Sequence, residues 1–324
     1  MGYTEQRRGE VMKALVTGGA GFIGRWLIKR LLDEGHLVYA IDDFSNGRRE
    51  NMYEFFEEDS FRFLEGDVRN ERTLETLFQE KYDIVYHLAA EINVQNSIDN
   101  PSQTIERDIL GTFNILEHCR KQKTRVVFMS TCMVYDRSYD ESGITEEHPT
   151  KPASPYAAAK LSGEALTLSY FHAYGLPTTV IRPFNTYGPF QKTNGEGGVV
   201  AIFVKQALKN EPLRIYGDGT QTRDLLYVED CVDFIIRAGN NDLALGQIIN
   251  AGTGNDVAIN NLALMIAGTS KLIRHVPHIH PQAEIMKLKC NSSKARDLLG
   301  WEPKFSLEKG IEKTKKWIES NPEL

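Results

Sequence analysis

The chain has 324 residues, with 38 Lys and Arg against 44 Asp and Glu and a formal net charge of −6, which excludes a general nucleic-acid binder because such proteins carry a basic surface. Its 41% hydrophobic and 25% charged residues describe an ordinary globular chain and exclude disorder. No run approaches the roughly 18 uncharged apolar residues of a membrane span, and residues 1–12 hold no signal-peptide core, so the sequence reads as a soluble, cytoplasmic protein without a membrane partner.

Short apolar runs at 13–17, 37–41, 61–64, 84–87, 126–130 and 179–182 read as strands, and amphipathic stretches at 22–34, 71–80, 101–122 and 155–174 read as helices. Such alternation predicts an α/β fold, a doubly wound parallel sheet with helices on both faces. After residue 182 the texture changes to Gly- and Pro-rich loops and short helices, closed by a helical pattern at 307–317. A first domain over 1–184 is therefore expected, with 229–250 returning to it, and a smaller, partly interleaved second domain over 185–324. Cys119, Cys132, Cys231 and Cys290 lie far apart without C-x-x-C spacing, which predicts free thiols rather than a disulfide frame or zinc knuckle.

The first strand runs directly into Thr17-Gly18-Gly19-Ala20-Gly21-Phe22-Ile23-Gly24. Gly18, Gly21 and Gly24 permit a tight turn and let a pyrophosphate approach the N-terminus of the helix that Phe22 and Ile23 open. About twenty residues on, the second strand ends in Asp42-Asp43, where a carboxylate can accept both adenosine ribose hydroxyls and repel the extra phosphate of NADP. NAD is the expected cofactor, although Arg48 and Arg49 follow closely. Asp67 and Val68 stand where the adenine edge is received, and Ala89 follows the fourth strand on the same rim.

Tyr156 and Lys160 are one helical turn apart. An ammonium near a phenol, with the cationic nicotinamide close by, favours the phenolate and brings its pKa down from about 10. That phenolate can take a hydroxyl proton while hydride leaves the same carbon, and Thr131 at the end of the fifth strand completes the set.

Added to these are His87-Leu88-Ala89-Ala90, Arg182-Pro183-Phe184-Asn185-Thr186-Tyr187-Gly188-Pro189, Arg223-Asp224-Leu225-Leu226-Tyr227-Val228-Glu229-Asp230 and Leu299-Gly300-Trp301-Glu302-Pro303. Together they resemble, over nearly the whole chain, the extended short-chain dehydrogenase/reductase family and within it the nucleotide-sugar epimerases and dehydratases. The resemblance implies an NAD-binding Rossmann domain and a C-terminal domain for a nucleotide sugar. It implies that Asn185 and Arg223 contact the substrate diphosphate region, that Tyr216 borders its nucleoside, and that Lys287 stands in for arginines found in relatives. It also implies a homodimer through helices 101–122 and 155–174.

Two positions depart from that pattern. Where the family's 4,6-dehydratases carry Thr-Asp-Glu, this chain reads Thr131-Cys132-Met133, and a thioether exchanges no proton. Glu91 and Cys132 are the candidate replacements for the missing acid and base. Asp108 stands where many relatives have Asn. His275, His278 and His280 form a weak metal pattern, and no metal is expected. The leading expectation is a nucleotide-sugar 4,6-dehydratase acting through a 4-keto sugar, with UDP-N-acetylglucosamine or another NDP-hexose as substrate. The alternatives are a 4-epimerase, which needs no further acid or base, and a non-catalytic NAD-binding regulator, against which the intact Tyr156 and Lys160 stand.

Overall fold

A computed structural model describes residues 10–138, 140–194, 198–278, 281 and 284–322. In chain order its first half contains β1 (Lys13–Thr17), α1 (Phe22–Asp33), β2 (Leu37–Asp42), β3 (Phe61–Glu65), α2 (Glu71–Leu77), β4 (Ile84–His87), α3 (Val94–Asp99), α4 (Pro101–Thr104), α5 (Gly111–Gln122), β5 (Arg125–Met129), α6 (Pro155–Tyr174) and β6 (Thr178–Pro183). The second half adds β7 (Asn185–Tyr187), α7 (Val199–Leu208), β8 (Leu213–Tyr216), β9 (Thr222–Tyr227), α8 (Val228–Asn240), β10 (Ile248–Ala251), β11 (Asp256–Ala258), α9 (Ile259–Ala267), β12 (Ile273–Val276), β13 (Lys287–Leu288), α10 (Ser293–Leu299) and α11 (Leu307–Ser320).

The expected doubly wound sheet is present, with strand order β10-β6-β5-β4-β1-β2-β3 and every pairing parallel. These strands are nearly continuous apolar runs because helices cover both faces. One face packs Val16, Leu27, Ile28, Phe234 and Trp301; the other packs Leu15, Leu74, Ile115 and Tyr170. The order reverses between β4 and β1, and crevices for ligands form outside strand C-termini at such a switch point. A second assembly centres on β9, which pairs parallel with β7 and β13 and antiparallel with β11. The pair β8 and β12 stands beside it, over a core including Phe203, Leu225 and Leu262.

The stretch 101–122 is not one helix. A π-helical turn over Ile105–Leu110 separates α4 from α5, and such a turn inserts a residue and re-aims its side chains. It turns Asp108 inward to 2% exposure, where Oδ1 accepts the Glu91 N–H at 2.7 Å. Periodicity alone misses the break because apolar Ile109 and Ile115 keep a helical texture across it. Among the described residues no helix is long and apolar enough to cross a membrane, and the four cysteines are buried free thiols.

Candidate active site

The glycines are required by contact distance. Gly18 has φ +70°, and a Cβ there would lie 2.8 Å from Ala89 N; one on Gly24 would lie 2.2 Å from the Gly18 carbonyl oxygen. Thr17 fixes the facing strand end, since its Oγ1 accepts the Ala89 N–H at 3.1 Å. Gly21 caps α1 without a side-chain bond, so first-turn N–H groups are left for a ligand. A cleft of about 460 Å³ opens here, and Gly18, Gly21, Phe22, Ile23, Gly24, Asp42, Asp67, Val68, Ala89, Tyr156, Lys160 and Thr131 all line it. That volume is typical of small-molecule and cofactor sites.

Asp42 is 8% exposed. Its carboxylate accepts the Ala20 N–H at 3.0 Å and the Phe44 N–H at 2.8 Å, and burial pushes it up to about 6 against those donors. Arg49, which follows Asp42 closely in the sequence, is paired with Glu65 and lies over the Phe44 ring. Burial pushes Asp67 up, but Arg69, 2.6 Å away, outweighs it and holds the carboxyl below its ordinary value.

At the other end of the cleft, Ser154 caps α6 by accepting the Ala157 N–H, and Pro155 occupies the first turn. Tyr156 and Lys160 consequently face the end of β5. Thr131 favours ionisation of the Tyr156 phenol, yet burial pushes the phenol above its usual value. Lys160 donates to the Met129 carbonyl at 3.0 Å, and its buried ammonium is pushed down by desolvation, with Asp108 and Glu164 opposing. The expected lowering of Tyr156 by Lys160 is therefore not built into the protein alone. Burial outweighs the opposing contribution of Thr131 there.

Beneath this pair lies a network invisible to motif reading. Glu164 takes the Arg182 Nε at 2.8 Å, the Arg182 Nη2 and the Ser130 hydroxyl. Arg182 and Glu164 side chains are 3% and 2% exposed. The only sequence signal was Glu164 recurring one turn after Lys160. Other cleft residues not singled out are Asn46, Gly47, Gln191 and Arg107; only the Asn46-Gly47 turn after Asp42 hinted at them.

The proposed replacement acid and base fare differently from expectation. Glu91 does not face the cleft. Its Oε1 accepts from Ile92 N and Asn93 N at 3.1 and 3.0 Å, and its Oε2 from Arg107 at 3.1 Å, so the side chain holds the loop and Arg107. Cys132 does line the cleft, but burial pushes its thiol up to about 12, so at neutral pH it stays protonated and is a poor base. Among the described residues the carboxylates lining the cleft are Asp42, Asp43 and Asp67, all at or just past the ends of β2 and β3 and remote from Tyr156 in sheet order.

Of the substrate candidates, Asn185 lines the cleft, with a buried Oδ1 that has no partner. Arg223 lies outside the lining. Its Nη1 donates to the Thr222 and Ile285 carbonyls at 2.8 Å, and its Nη2 pairs with Glu284. Glu284 also takes His278 at 2.5 Å, and the His278 ring lies 6.1 Å from that of Tyr216 on β8. Lys287 pairs with Glu141. His275 bonds Asn260 at 2.8 Å, His280 lies outside the described residues, and no metal-holding cluster occurs among the described residues.

The family model described as GDP-mannose 4,6 dehydratase matches residues 15–314. The chain belongs to the extended short-chain dehydrogenase/reductases, among the nucleotide-sugar epimerases and dehydratases. It is 38% identical over 309 residues to a UDP-glucose 4-epimerase of Mycolicibacterium smegmatis, covering 94% of this chain and 97% of that one. The X-ray structure of Pal from Bacillus thuringiensis is 56% identical with a TM-score of 0.94, covering 96% of this chain and all 100% of that one. A dTDP-glucose 4,6-dehydratase from Bacillus anthracis, solved with NAD, is 29% identical with a TM-score of 0.88, covering 97% and 98% of the two chains. Members of this family use NAD, and the cleft fits that group: a Cβ-intolerant glycine turn, a ribose-side carboxylate and the orphaned Asn185 oxygen lie along it.

Proposed function

We propose that this protein holds NAD in the cleft and oxidises C4 of a nucleoside-diphosphate hexose transiently, returning the hydride to the sugar without loss of water, with 4-epimerisation as the simplest case. The observation that carries this reading is the distribution of acids. The oxidation set Thr131, Tyr156 and Lys160 is assembled, whereas Met133 cannot move a proton, Glu91 faces away and Cys132 stays protonated. Loss of the C6 hydroxyl needs a base at C5 as well as an acid at C6, and among the described residues the sugar end of the cleft holds no carboxylate for that base.

When bound, NAD supplies the acceptor and donor of hydride. Tyr156 takes the C4 hydroxyl proton and gives it back to the same oxygen on return. Thr131, which lines the cleft with the phenol, holds that oxygen in register. Lys160 keeps a positive charge under the phenol, and Asn185 offers its free Oδ1 to the substrate side. Gly18, Gly21, Phe22, Ile23 and Gly24 cradle the dinucleotide diphosphate, Asp42 the ribose, and Asp67, Val68 and Ala89 its flanks. Arg223, Tyr216 and Lys287 would meet the nucleotide of the substrate only after exchanging their present partners. The 4,6-dehydratase reading keeps two supports, the description of the matching family model and the likeness to the Bacillus anthracis dTDP-glucose 4,6-dehydratase, and would make Cys132 the proton carrier. Exposed Ile105, Leu110 and Phe113 on the 105–113 segment support a homodimer through that face.

Incubation with UDP-hexoses, UDP-N-acetylhexosamines and dTDP-glucose, followed by mass spectrometry, tests the reading. A product of unchanged mass and altered retention supports it; loss of the mass of one water transfers the conclusion to the dehydratase.

A further inference from the structure

Lys160 is buried and its hydrogen bond goes to a neutral carbonyl, so its charge needs support from elsewhere. Two carboxyls bear on it, Glu164 from α6 and Asp108 from the π-turn. Glu164 is already saturated by the Arg182 guanidinium and the Ser130 hydroxyl. Asp108 is not: Oδ1 takes the Glu91 N–H, while Oδ2 is buried without any hydrogen-bond partner. An ionisable oxygen kept dry and unpaired is costly unless a nearby cation offsets it. The π-turn that aims it is itself pinned, since Thr112 Oγ1 donates to the Asp108 carbonyl at 2.5 Å and contacts His87 Nε2 at 3.1 Å.

We propose that Asp108 is the buried counter-charge of the Tyr156–Lys160 pair, a positioning residue that sets the pH response of C4 oxidation through that pair. The inference rests on the reading that Tyr156 and Lys160 act at C4, and holds whether or not water is lost. The groups facing Asp108 leave it this role. His87 from β4 is held neutral by burial, down to about 3. Glu91 is engaged by Arg107, and Arg107 on the π-turn itself lies next to Asp108. Tyr156 and Lys160 come from α6, which packs against the π-turn, and both feel the Asp108 charge. Burial pushes Asp108 up to about 6, with Lys160 and the Glu91 N–H opposing and the Glu91 carboxylate adding to it. Above that pH its negative charge keeps Lys160 protonated and simultaneously makes the Tyr156 phenolate harder to form.

Removing the charge should therefore lower both groups together. In Asp108→Asn, which keeps an oxygen for the Glu91 N–H, both limbs of the kcat-against-pH profile should move to lower pH by about one unit, the size expected of a neighbouring buried charge. Asp108→Ser should move them the same way. Thr112→Val, which loosens the turn and keeps the charge, should change the height of the profile and leave its limbs in place. As a readout without turnover, the ultraviolet tyrosinate signal of the holoenzyme, taken as the difference from Tyr156→Phe, should appear at lower pH in Asp108→Asn. Unmoved limbs and an unmoved tyrosinate signal, or equal movement in Thr112→Val, would overturn the proposal. Should Tyr156→Phe retain turnover, the reading of the site falls and this inference with it; an inactive Tyr156→Phe with an unshifted Asp108→Asn sinks the inference alone.

Discussion

Replacing Glu164 by Gln tests how the end of β5 is held beneath the reacting groups. The Arg182 and Glu164 side chains are 3% and 2% exposed, so solvent cannot replace what the substitution removes. Gln keeps the shape but turns an NH₂ toward donors, leaving Ser130 or Arg182 without an acceptor, and one guanidinium nitrogen, Nη1, already has none. Breaking one side of a buried pair costs about 3–5 kcal/mol. With roughly 2 °C of melting temperature per kcal/mol for a chain of this size, the expected drop is on the order of 6–10 °C. Differential scanning calorimetry of the two proteins, each carrying its cofactor, measures it. A second effect accompanies the first, because Lys160 loses one of the two carboxylates that favour its charge. A melting change below about 1 °C would refute the view that this pair anchors the site.

Asp42→Asn should release bound NAD and alter the pH dependence of stability. Asp42 titrates near 6 folded against an ordinary 3.8, so the folded state takes up a proton first as pH falls. Its burden on stability, up to about 3 kcal/mol at pH 7 from a shift of about two units, should fade between pH 6 and 4, and wild type should gain on Asp42→Asn over that window in thermal melts of NAD-free protein. Equal slopes for both would contradict the burial of this carboxyl. Cys132→Ala should keep kcat within about tenfold, since a thiol near 12 is no base; a loss beyond about 10², the scale of a general acid or base, would restore its catalytic role. Glu91→Gln should raise KM more than it lowers kcat in steady-state assays, because its oxygens hold Arg107 and the loop.

What was legible in the sequence was local. The glycines at 18, 21 and 24, Asp42 at the next strand end and the one-turn spacing of Tyr156 and Lys160 each announce themselves within a few residues. Their convergence on one cleft follows from parallel strands whose C-termini share a rim. What was not legible depends on orientation or on distant partners. Glu91 sits beside that rim in the sequence, but only the π-turn and Arg107 show that its carboxylate is turned into the loop. Arg223 reads as a phosphate ligand until Glu284, brought alongside through β13 and β9, takes its guanidinium. The phenol's environment was illegible for a related reason: helical spacing places Lys160 near Tyr156, but the burial that pushes the phenol up comes from the fold around it.

The central claim is that hydride lifted from C4 goes back to the sugar while the C6 hydroxyl stays. Nucleotide sugar deuterated at C4, converted in ordinary water and followed by proton and deuterium NMR, tests it most directly. Return to C4, as in a 4-epimerase, predicts deuterium retained there, no solvent hydrogen at C5 and an intact C6 hydroxyl. A C6 methyl carrying the deuterium, with solvent hydrogen at C5, would contradict it and establish the dehydratase.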